Sequence, residues 1–435
     1  MSHSNAFKTG TTSGILPDLR SFLILTVLLS ALSLFESCTK PAQTRRASEV
    51  FLQTVESADD AGLDTLRNQM GDLVLLPEDL PAILQVLEKP KPDDKLGENS
   101  IRFLLFQRLA GIQNEETSRF IEQLFPSLEG NAALQAAALG VLAQGKSEEP
   151  LRIMMRILRQ DTPGLGPYEG MVLGQLFEFP EKIPLISEEL FLLAIDSPYE
   201  LQALELIAAG LSAGQIKPAD MQGSLTALVN KFQQTGLSAQ TSRRTAEVSD
   251  ETGQIKSSIL QCFAYFPADT TIGQLLYQTM NDSKEKPSVR LAAAMAALNG
   301  GFVVESAIWE MLAGDFRTRN QLFIDLAQSG HGALFPATYF NQQALAEGDL
   351  AAWLASRGNT PEAFRLTGKV KIENGPEAGN IFVFEFKEKG QWMAGISGPQ
   401  PLDSTDVVET GYLTTSKFEK TGKRKLTEIV EDLIE

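Results

Sequence analysis

One short segment of the chain has the residue types that bind the phosphates of a nucleotide. Gly140 to Ser147, GVLAQGKS, satisfies the pattern G-x-x-x-x-G-K-[ST], in which backbone N–H groups cradle phosphates, Lys146 reaches the outer phosphates and the hydroxyl binds Mg²⁺. Such a loop follows a buried strand, whereas residues 132–139 are strong helix formers. The sequence therefore favours a helix end, a stop at Gly145 and a helix cap at Ser147, and we expect no bound nucleotide.

The other reactive side chains do not form a recognisable active site. Ser212 matches G-x-S-x-G, but it follows a helical pattern instead of the strand that a nucleophile elbow requires. After Cys38 the chain has one histidine, His331, and one imidazole cannot define a zinc site, which needs three or four ligands. Cys262 lies in an apolar helical pattern and is expected to be a core residue. We therefore predict no catalytic residue, no metal and no cofactor.

The N-terminal segment has the features of an export signal. Lys8 and Arg20 precede an apolar run from Phe22 to Phe35. A helix of that length would be about 21 Å long, shorter than the ~30 Å hydrocarbon core of a membrane. Cys38 follows this run after a short gap, and the next residues are polar. The pattern indicates the hydrophobic region of a signal peptide and not a membrane-spanning helix.

Residues 35–38, FESC, resemble the lipobox of bacterial lipoproteins, with a small residue directly before the cysteine. In that family the cysteine is diacylated through its thiol and becomes the first residue of the mature chain. The resemblance implies that residues 1–37 are a signal peptide, that Cys38 is lipidated, and that residues 38–47 are a tether to a membrane of the bacterial cell envelope. An uncleaved anchor and a secretory signal cut elsewhere are the alternatives.

Residues 48–360 are predicted to be helical. Apolar residues recur at three- and four-residue spacing, and Gly or Pro stops separate the segments. Related segments recur every 32–35 residues, which indicates stacked helix pairs. Residues 287–300 resemble the second helix of a HEAT-type repeat, with Arg290 after the turn, small residues and a final glycine, and residues 131–145 repeat the theme. The resemblance implies a right-handed α-solenoid of HEAT-like helix pairs.

Two segments depart from this pattern. Residues 235–253 are rich in Ser and Thr and nearly free of large apolar residues, which predicts a mobile loop. From residue 361 apolar and polar residues alternate as in strands, and the apolar residues of 426–433 lie on one face of a closing helix. We therefore predict that residues 361–435 form a small α+β domain, an antiparallel sheet plus a helix. Because its core would be small, we expect it to pack on the last helices of the solenoid.

The charge balance narrows the class of partner. The chain has 38 basic and 55 acidic residues and a net charge of -17, which argues against nucleic-acid binding, since that affinity comes from lysines and arginines. A helical repeat surface without a recognisable catalytic group is typical of protein-binding proteins. The expected function is that of a non-enzymatic cell-envelope lipoprotein that acts as a protein–protein interaction scaffold, periplasmic or surface-exposed.

Two other functions remain open at this point. The first is an envelope enzyme or ligand-binding protein whose site lies in the C-terminal sheet, where Trp392 and the aromatic face Phe382–Phe386 would line a pocket. The second is a cytoplasmic nucleotide-binding protein that uses Gly140 to Ser147. A basic cluster near the C-terminus is predicted to be a solvated turn, with contact to anionic lipid or an acidic partner as the alternative. The cluster consists of Lys417, Lys420, Lys423, Arg424 and Lys425.

Overall fold

The structure is a computed structural model, and it divides the chain into two compact units. The N-terminal unit ends at Val304 and the C-terminal unit begins at Glu305. The predicted signal peptide, Cys38 and the tether lie outside the described residues. The structure describes residues 48–55, 58, 60–89, 97–112, 114–160, 165, 168–178, 180–241, 246–267, 269–373, 378–402, 412–417, 428 and 430–431.

The N-terminal unit is built from helices joined by short turns. Its described α-helices are α1 (48–55), α2 (Asp60–Gln69), α3 (Leu80–Glu88), α4 (Ile101–Leu109), α5 (Glu115–Leu124), α6 (Ala132–Ala143), α7 (Glu148–Arg159), α8 (Glu169–Gly174), α9 (Ser187–Ile195), α10 (Glu200–Ser212), α11 (Gln222–Thr241), α12 (Ala246–Phe263), α13 (Thr270–Asn281) and α14 (Pro287–Asn299).

These helices are arranged in two rows. Along the first row α3 contacts α5, α5 contacts α7, α7 contacts α9 and α9 contacts α11. Along the second row each of α2, α4, α6, α8, α10 and α12 contacts the next even-numbered helix, up to α14. Consecutive helices such as α9 and α10, or α13 and α14, pack against each other across the rows. We call these the odd row and the even row.

Helices α6 and α7, one from each row, differ in how completely they are buried. In α6, AALQAAALGVLA, ten of the 12 residues are buried, because its neighbours in the row and the odd row cover most of its surface. In α7 the apolar side chains are buried, whereas Arg152 and Arg156 are more than half exposed. The apolar period of three and four residues therefore gives α7 one charged face.

Basic side chains bind the carbonyl groups that the ends of odd-row helices leave without an intrahelical partner. This contact recurs along the chain and also complements the negative end of each helix dipole. The donor and acceptor residues are Arg102 and Leu87 of α4 and α3, Lys231 and Ile195 of α11 and α9 at 3.1 Å, and Arg290 and Met280 of α14 and α13 at 3.2 Å.

The prediction of a loop at residues 235–253 was wrong, because most of this segment is helical. Residues 235–241 continue α11 and residues 246–253 begin α12. Ser and Thr cost a helix only a few tenths of a kcal/mol each, so a segment rich in them is not a helix stop. Gly253 is also no stop, since it lies within α12 where a Cβ would be 3.1 Å from the Lys286 Cδ.

The C-terminal unit combines helices with an antiparallel sheet. Its helices α15 (Ser306–Gly314), α16 (Phe316–Gln328) and α17 (Gln342–Ser356) contact one another in chain order. Four strands follow, β1 (Ala363–Ile372), β2 (Gly379–Glu388), β3 (Gln391–Gln400) and β4 (Tyr412–Lys417), paired in the order β1-β2-β3-β4. Glu428, Val430 and Glu431 are helical. The mainly helical chain with a small antiparallel sheet near its end agrees with the predicted fold class.

Each face of the sheet contributes a buried cluster within the unit. One face packs its phenylalanines against α17, in a cluster of Phe382, Phe384, Phe386, Ala346, Leu350 and Leu354. The other face packs against the C-terminal segment, in a cluster of Ile381, Val383, Ala394, Ile396 and Val430. The compact unit therefore starts at Glu305, earlier than the change of sequence pattern at residue 361, because the sheet needs these helices to bury its aromatic face.

Among the described helices, none has the length and apolar character that a membrane span requires.

Candidate functional site

The segment that matches the phosphate-binding pattern is the junction between two helices. Gly140 lies within α6, and Ser147 is the N-cap residue of α7, although its side chain accepts no capping hydrogen bond. A Cβ at Gly145 would lie 2.5 Å from the Pro150 Cβ, so this glycine allows the turn to pack on the next helix. The residues that precede the motif are helical, as their composition predicts, and not the strand that a phosphate-binding loop follows.

The two isolated polar candidates also occupy helix ends. Ser212 is the last residue of α10, and Gly214, with φ of +69°, ends that helix in the left-handed conformation. His331 is exposed after α16, and its backbone N–H donates to the Leu326 carbonyl at 2.8 Å. Within the described ranges, no three side chains of His, Cys, Asp or Glu come together as a metal site.

Cys262 is a core residue of α12, as predicted. Its side chain is fully buried and its Sγ lies 3.9 Å from the Leu204 carbonyl oxygen. Burial raises the pKa of the Cys262 thiol to about 12. The thiolate, which is the nucleophilic form, is therefore scarce at neutral pH.

Trp392 and the phenylalanines of β2 do not line a common pocket in the C-terminal sheet. Phe386 is paired with Met393 and packs towards α17, whereas the next residue on β3, Trp392, is paired with Lys387 on the opposite face. Trp392 is 37% exposed, and the Arg365 guanidinium lies 5.1 Å from the centre of its ring. The tryptophan and the phenylalanines therefore cannot line one pocket, and the phenylalanines belong to the core.

The structure does not describe the predicted lipidation site or most of the basic cluster. Cys38, Lys420, Lys423, Arg424 and Lys425 lie outside the described residues. Lys417 is the last residue of β4.

Exposed charged side chains of three odd-row helices form ion pairs with one another. Arg156 of α7 forms an ion pair with Glu122 of α5. Arg152 of the same helix reaches Glu148 at 2.6 Å and Glu189 of α9 at 3.5 Å. These pairs join three helices of the row, so the charged groups already satisfy one another.

Glutamines lie at exposed positions on helices of both rows, for example Gln233 in α11 and Gln261 in α12. In the part of the chain that the structure describes, the Oε1 atoms of Gln175, directly after α8, and of Gln202, in α10, are buried without a hydrogen-bond partner. The Gln175 amide packs on α6, where a Cβ at Gly140 would be 3.1 Å from its Nε2.

A shallow apolar depression lies on α13. Tyr277, which is 54% exposed, and Phe302 form its walls, and Gln274 and Gln278 form its polar rim. A Cβ at Gly273 would be 2.9 Å from the Phe302 ring, so this glycine allows the ring to lie close to the helix. The described residues that line the depression include no Asp, Glu, Lys, Arg, His or Cys.

No protein-family model, no curated protein and no solved structure matches the chain.

Proposed function

We propose that the protein is a lipid-anchored, non-enzymatic scaffold of the bacterial cell envelope, which binds protein partners on the stacked helices of its N-terminal unit. The observation that carries the proposal is the packing of alternate helices into two rows. Rows of this kind offer a long surface on rigid elements, and α-solenoid proteins use such surfaces to bind other proteins. We propose that the two rows form a right-handed solenoid of HEAT-like pairs.

The recurrent arginine contacts support the repeat interpretation. Arg102 and Arg290 stand near the starts of α4 and α14, and each donates to a carbonyl near the end of the helix before it. The same contact in two distant helix pairs is what a repeated structural unit requires. The sequence resemblance to HEAT-type helices was found at Arg290 and its neighbours, so pattern and geometry support the same proposal.

The envelope location is proposed from the N-terminal sequence. An apolar run too short to span a membrane, followed by Cys38 and a polar stretch, is typical of a lipoprotein signal. Two or three acyl chains would hold the protein on a membrane stably, whereas one chain would not.

Chemical cross-linking in living cells, with the full chain carrying an affinity tag, tests this function. The wild-type protein should enrich the same few envelope proteins in replicate experiments. The Cys38→Ala variant should lose them, because it is not retained at the membrane where they reside. Failure to enrich any protein above cells that produce only the tag would contradict a scaffold function. Nucleotide binding that Lys146→Ala abolishes would instead support the nucleotide-binding alternative.

A further inference from the structure

We propose that the free edge of strand β1 binds an extended, acidic segment of a protein partner as an additional strand of the C-terminal sheet. The partner's backbone continues the hydrogen bonding of the sheet, and its carboxylates meet Lys369 and Lys371. The inference goes beyond the proposed function, because it assigns a binding surface to the C-terminal unit, which that function leaves without a role.

Strand β1 forms an edge of the sheet. It pairs with β2 on one side, and no described strand pairs with its other side. All ten residues of β1 are half-exposed or exposed, whereas seven of the ten residues of β2 are buried. An edge strand presents backbone N–H and C=O groups that have no strand partner, and alternate residues point these groups outward. An extended chain satisfies such groups along its length, so the occupant is an extended segment.

The charged side chains of β1 are all basic. Arg365, Lys369 and Lys371 are exposed, and the strand has no acidic residue. Lys369 and Lys371 both follow the bulge of β1 and are two residues apart, so their side chains lie on the same face of the sheet. A strand added beside β1 would bring its own side chains within reach of both lysines. The charge of the edge therefore favours an acidic occupant.

The two lysines are open to a new partner. Among the described residues, Lys369 forms no ion pair or hydrogen bond through its side chain. Lys371 lies 3.3 Å from Glu373, but both of these side chains are at least half exposed. Exposed ion pairs contribute about 1 kcal/mol or less, so a partner's carboxylate can replace Glu373 at little cost. Arg365 differs, because Glu385 on β2 already pairs with it at 3.4 Å and is largely buried.

Apolar side chains alternate with the basic ones along β1. Phe364 and Leu366 pack against the phenylalanine cluster on one face of the sheet. Val370 and Ile372 pack against the cluster on the other face, because the bulge after Leu366 exchanges the faces. All four side chains are only half buried. A neighbouring strand that alternates apolar and acidic residues would bury them further while it pairs with the lysines.

A second copy of β1 is a poor occupant of this edge. Pairing of β1 with itself would bring its basic side chains together, and like charges on neighbouring strands are destabilising. Lysines on edge strands commonly oppose such self-association. The same charges attract an acidic strand. An edge whose lysines only prevent association would bind no strand at all, which is one outcome of the test.

The probe is a capped peptide of ten residues, the length of β1, which alternates Val and Glu on either side of two central threonines. Fluorescence anisotropy of the labelled peptide measures its Kd for the full-length protein in a nonionic detergent. The variant Lys369→Glu/Lys371→Glu should weaken binding about tenfold or more, because two attractive charges become repulsive. A peptide with Lys in place of every Glu should not bind.

A second readout uses the wild-type protein and changes only the peptide backbone. Two peptides are N-methylated at every second residue, one at the odd positions and one at the even positions. Only alternate N–H groups of an added strand face β1. One of the two peptides should therefore lose binding, and the other should bind like the unmodified peptide.

The matched control is Lys217→Glu/Lys284→Glu, which changes the net charge equally at two exposed lysines of the N-terminal unit. It should bind the peptide as the wild type does, and circular dichroism should show the wild-type helix content in both variants. Absence of peptide binding to the wild type, an equal loss in both variants, or the same effect of both methylation patterns would overturn the proposal. Recovery of cross-linked partners in those cases would leave the scaffold function standing.

Discussion

Gly395 of β3 lies directly beneath Leu350 of α17. A Cβ at position 395 would be 2.8 Å from the Leu350 Cδ2 and 3.2 Å from the Phe386 ring. The absence of a side chain at this point lets the helix rest on the sheet and close the aromatic core around Leu350, which is fully buried. This contact explains why the sheet and the helices that precede it belong to one compact unit.

Gly395→Ala should therefore destabilise the C-terminal unit. The added methyl group must displace Leu350 or Phe386, and overpacking of a core costs about 1–3 kcal/mol. Urea unfolding followed by far-ultraviolet circular dichroism, which reports on the helices of both units, measures the change. Gly223→Ala is the matched control, because a Cβ there meets nothing within 4 Å and alanine favours the surrounding helix α11. Equal stability of the two variants would contradict the close packing at Gly395.

Arg319 should be far more important to stability than an exposed arginine. Its guanidinium is buried, forms an ion pair with Glu347, and donates to the carbonyls of Ala313 at 2.6 Å and Ala344 at 2.8 Å. Arg319→Ala leaves these groups unpaired and should lower the free energy of unfolding by about 3–5 kcal/mol. The ion pair of Arg119 is 67% exposed on the arginine side, so Arg119→Ala should cost less than about 1 kcal/mol. A small loss for Arg319→Ala would show that the buried network contributes little.

Cys262 should be inert in the folded protein. Burial raises the pKa of its thiol to about 12, so reagents meet neither an exposed sulfur nor an appreciable fraction of thiolate. In the Cys38→Ala variant, a disulfide reagent that absorbs on thiol release should detect no thiol under native conditions. It should detect one thiol per chain in concentrated guanidinium chloride. Rapid reaction of the native protein would contradict the placement of Cys262 in the core.

Asp315 should make the stability of the C-terminal unit depend on acid pH. Burial alone would raise the pKa of this carboxyl, but hydrogen bonds from Arg317 and the charges of Arg317 and Arg319 hold it below its usual value. A lowered folded-state pKa means that the ionised form stabilises the fold above the unfolded-state value of about 3.9, and that this stability disappears as the pH falls through the folded-state value.

The substitution Asp315→Asn keeps an oxygen that can cap α16 at the Arg317 backbone N–H while removing the charge. It should lower the urea midpoint at neutral pH, and this difference from the wild type should shrink as the pH falls and the wild-type carboxyl takes up its proton. A loss that stays the same at every pH would assign the effect of the residue to packing and not to its charge.

The sequence predicts where helices and strands lie better than it predicts how they pack and pair. Apolar spacing located helices such as α6 and α7, and alternation located the strands. The pairing of Trp392 with Lys387 depends on strand register, which the alternation alone does not determine. The composition of residues 235–253 does not reveal the helices there, because Ser and Thr are common in loops but cost a helix little free energy.

A lipid-anchored scaffold requires that Cys38 carry acyl chains, and metabolic labelling with a clickable palmitate analogue tests this requirement directly. Wild-type protein and Cys38→Ala are compared in the same cells, followed by detergent-phase partition. Label on the wild type alone, with the wild type in the detergent phase, is the predicted result. A wild-type protein without label would contradict the lipid anchor and reopen the question of where the helical surface meets its partners.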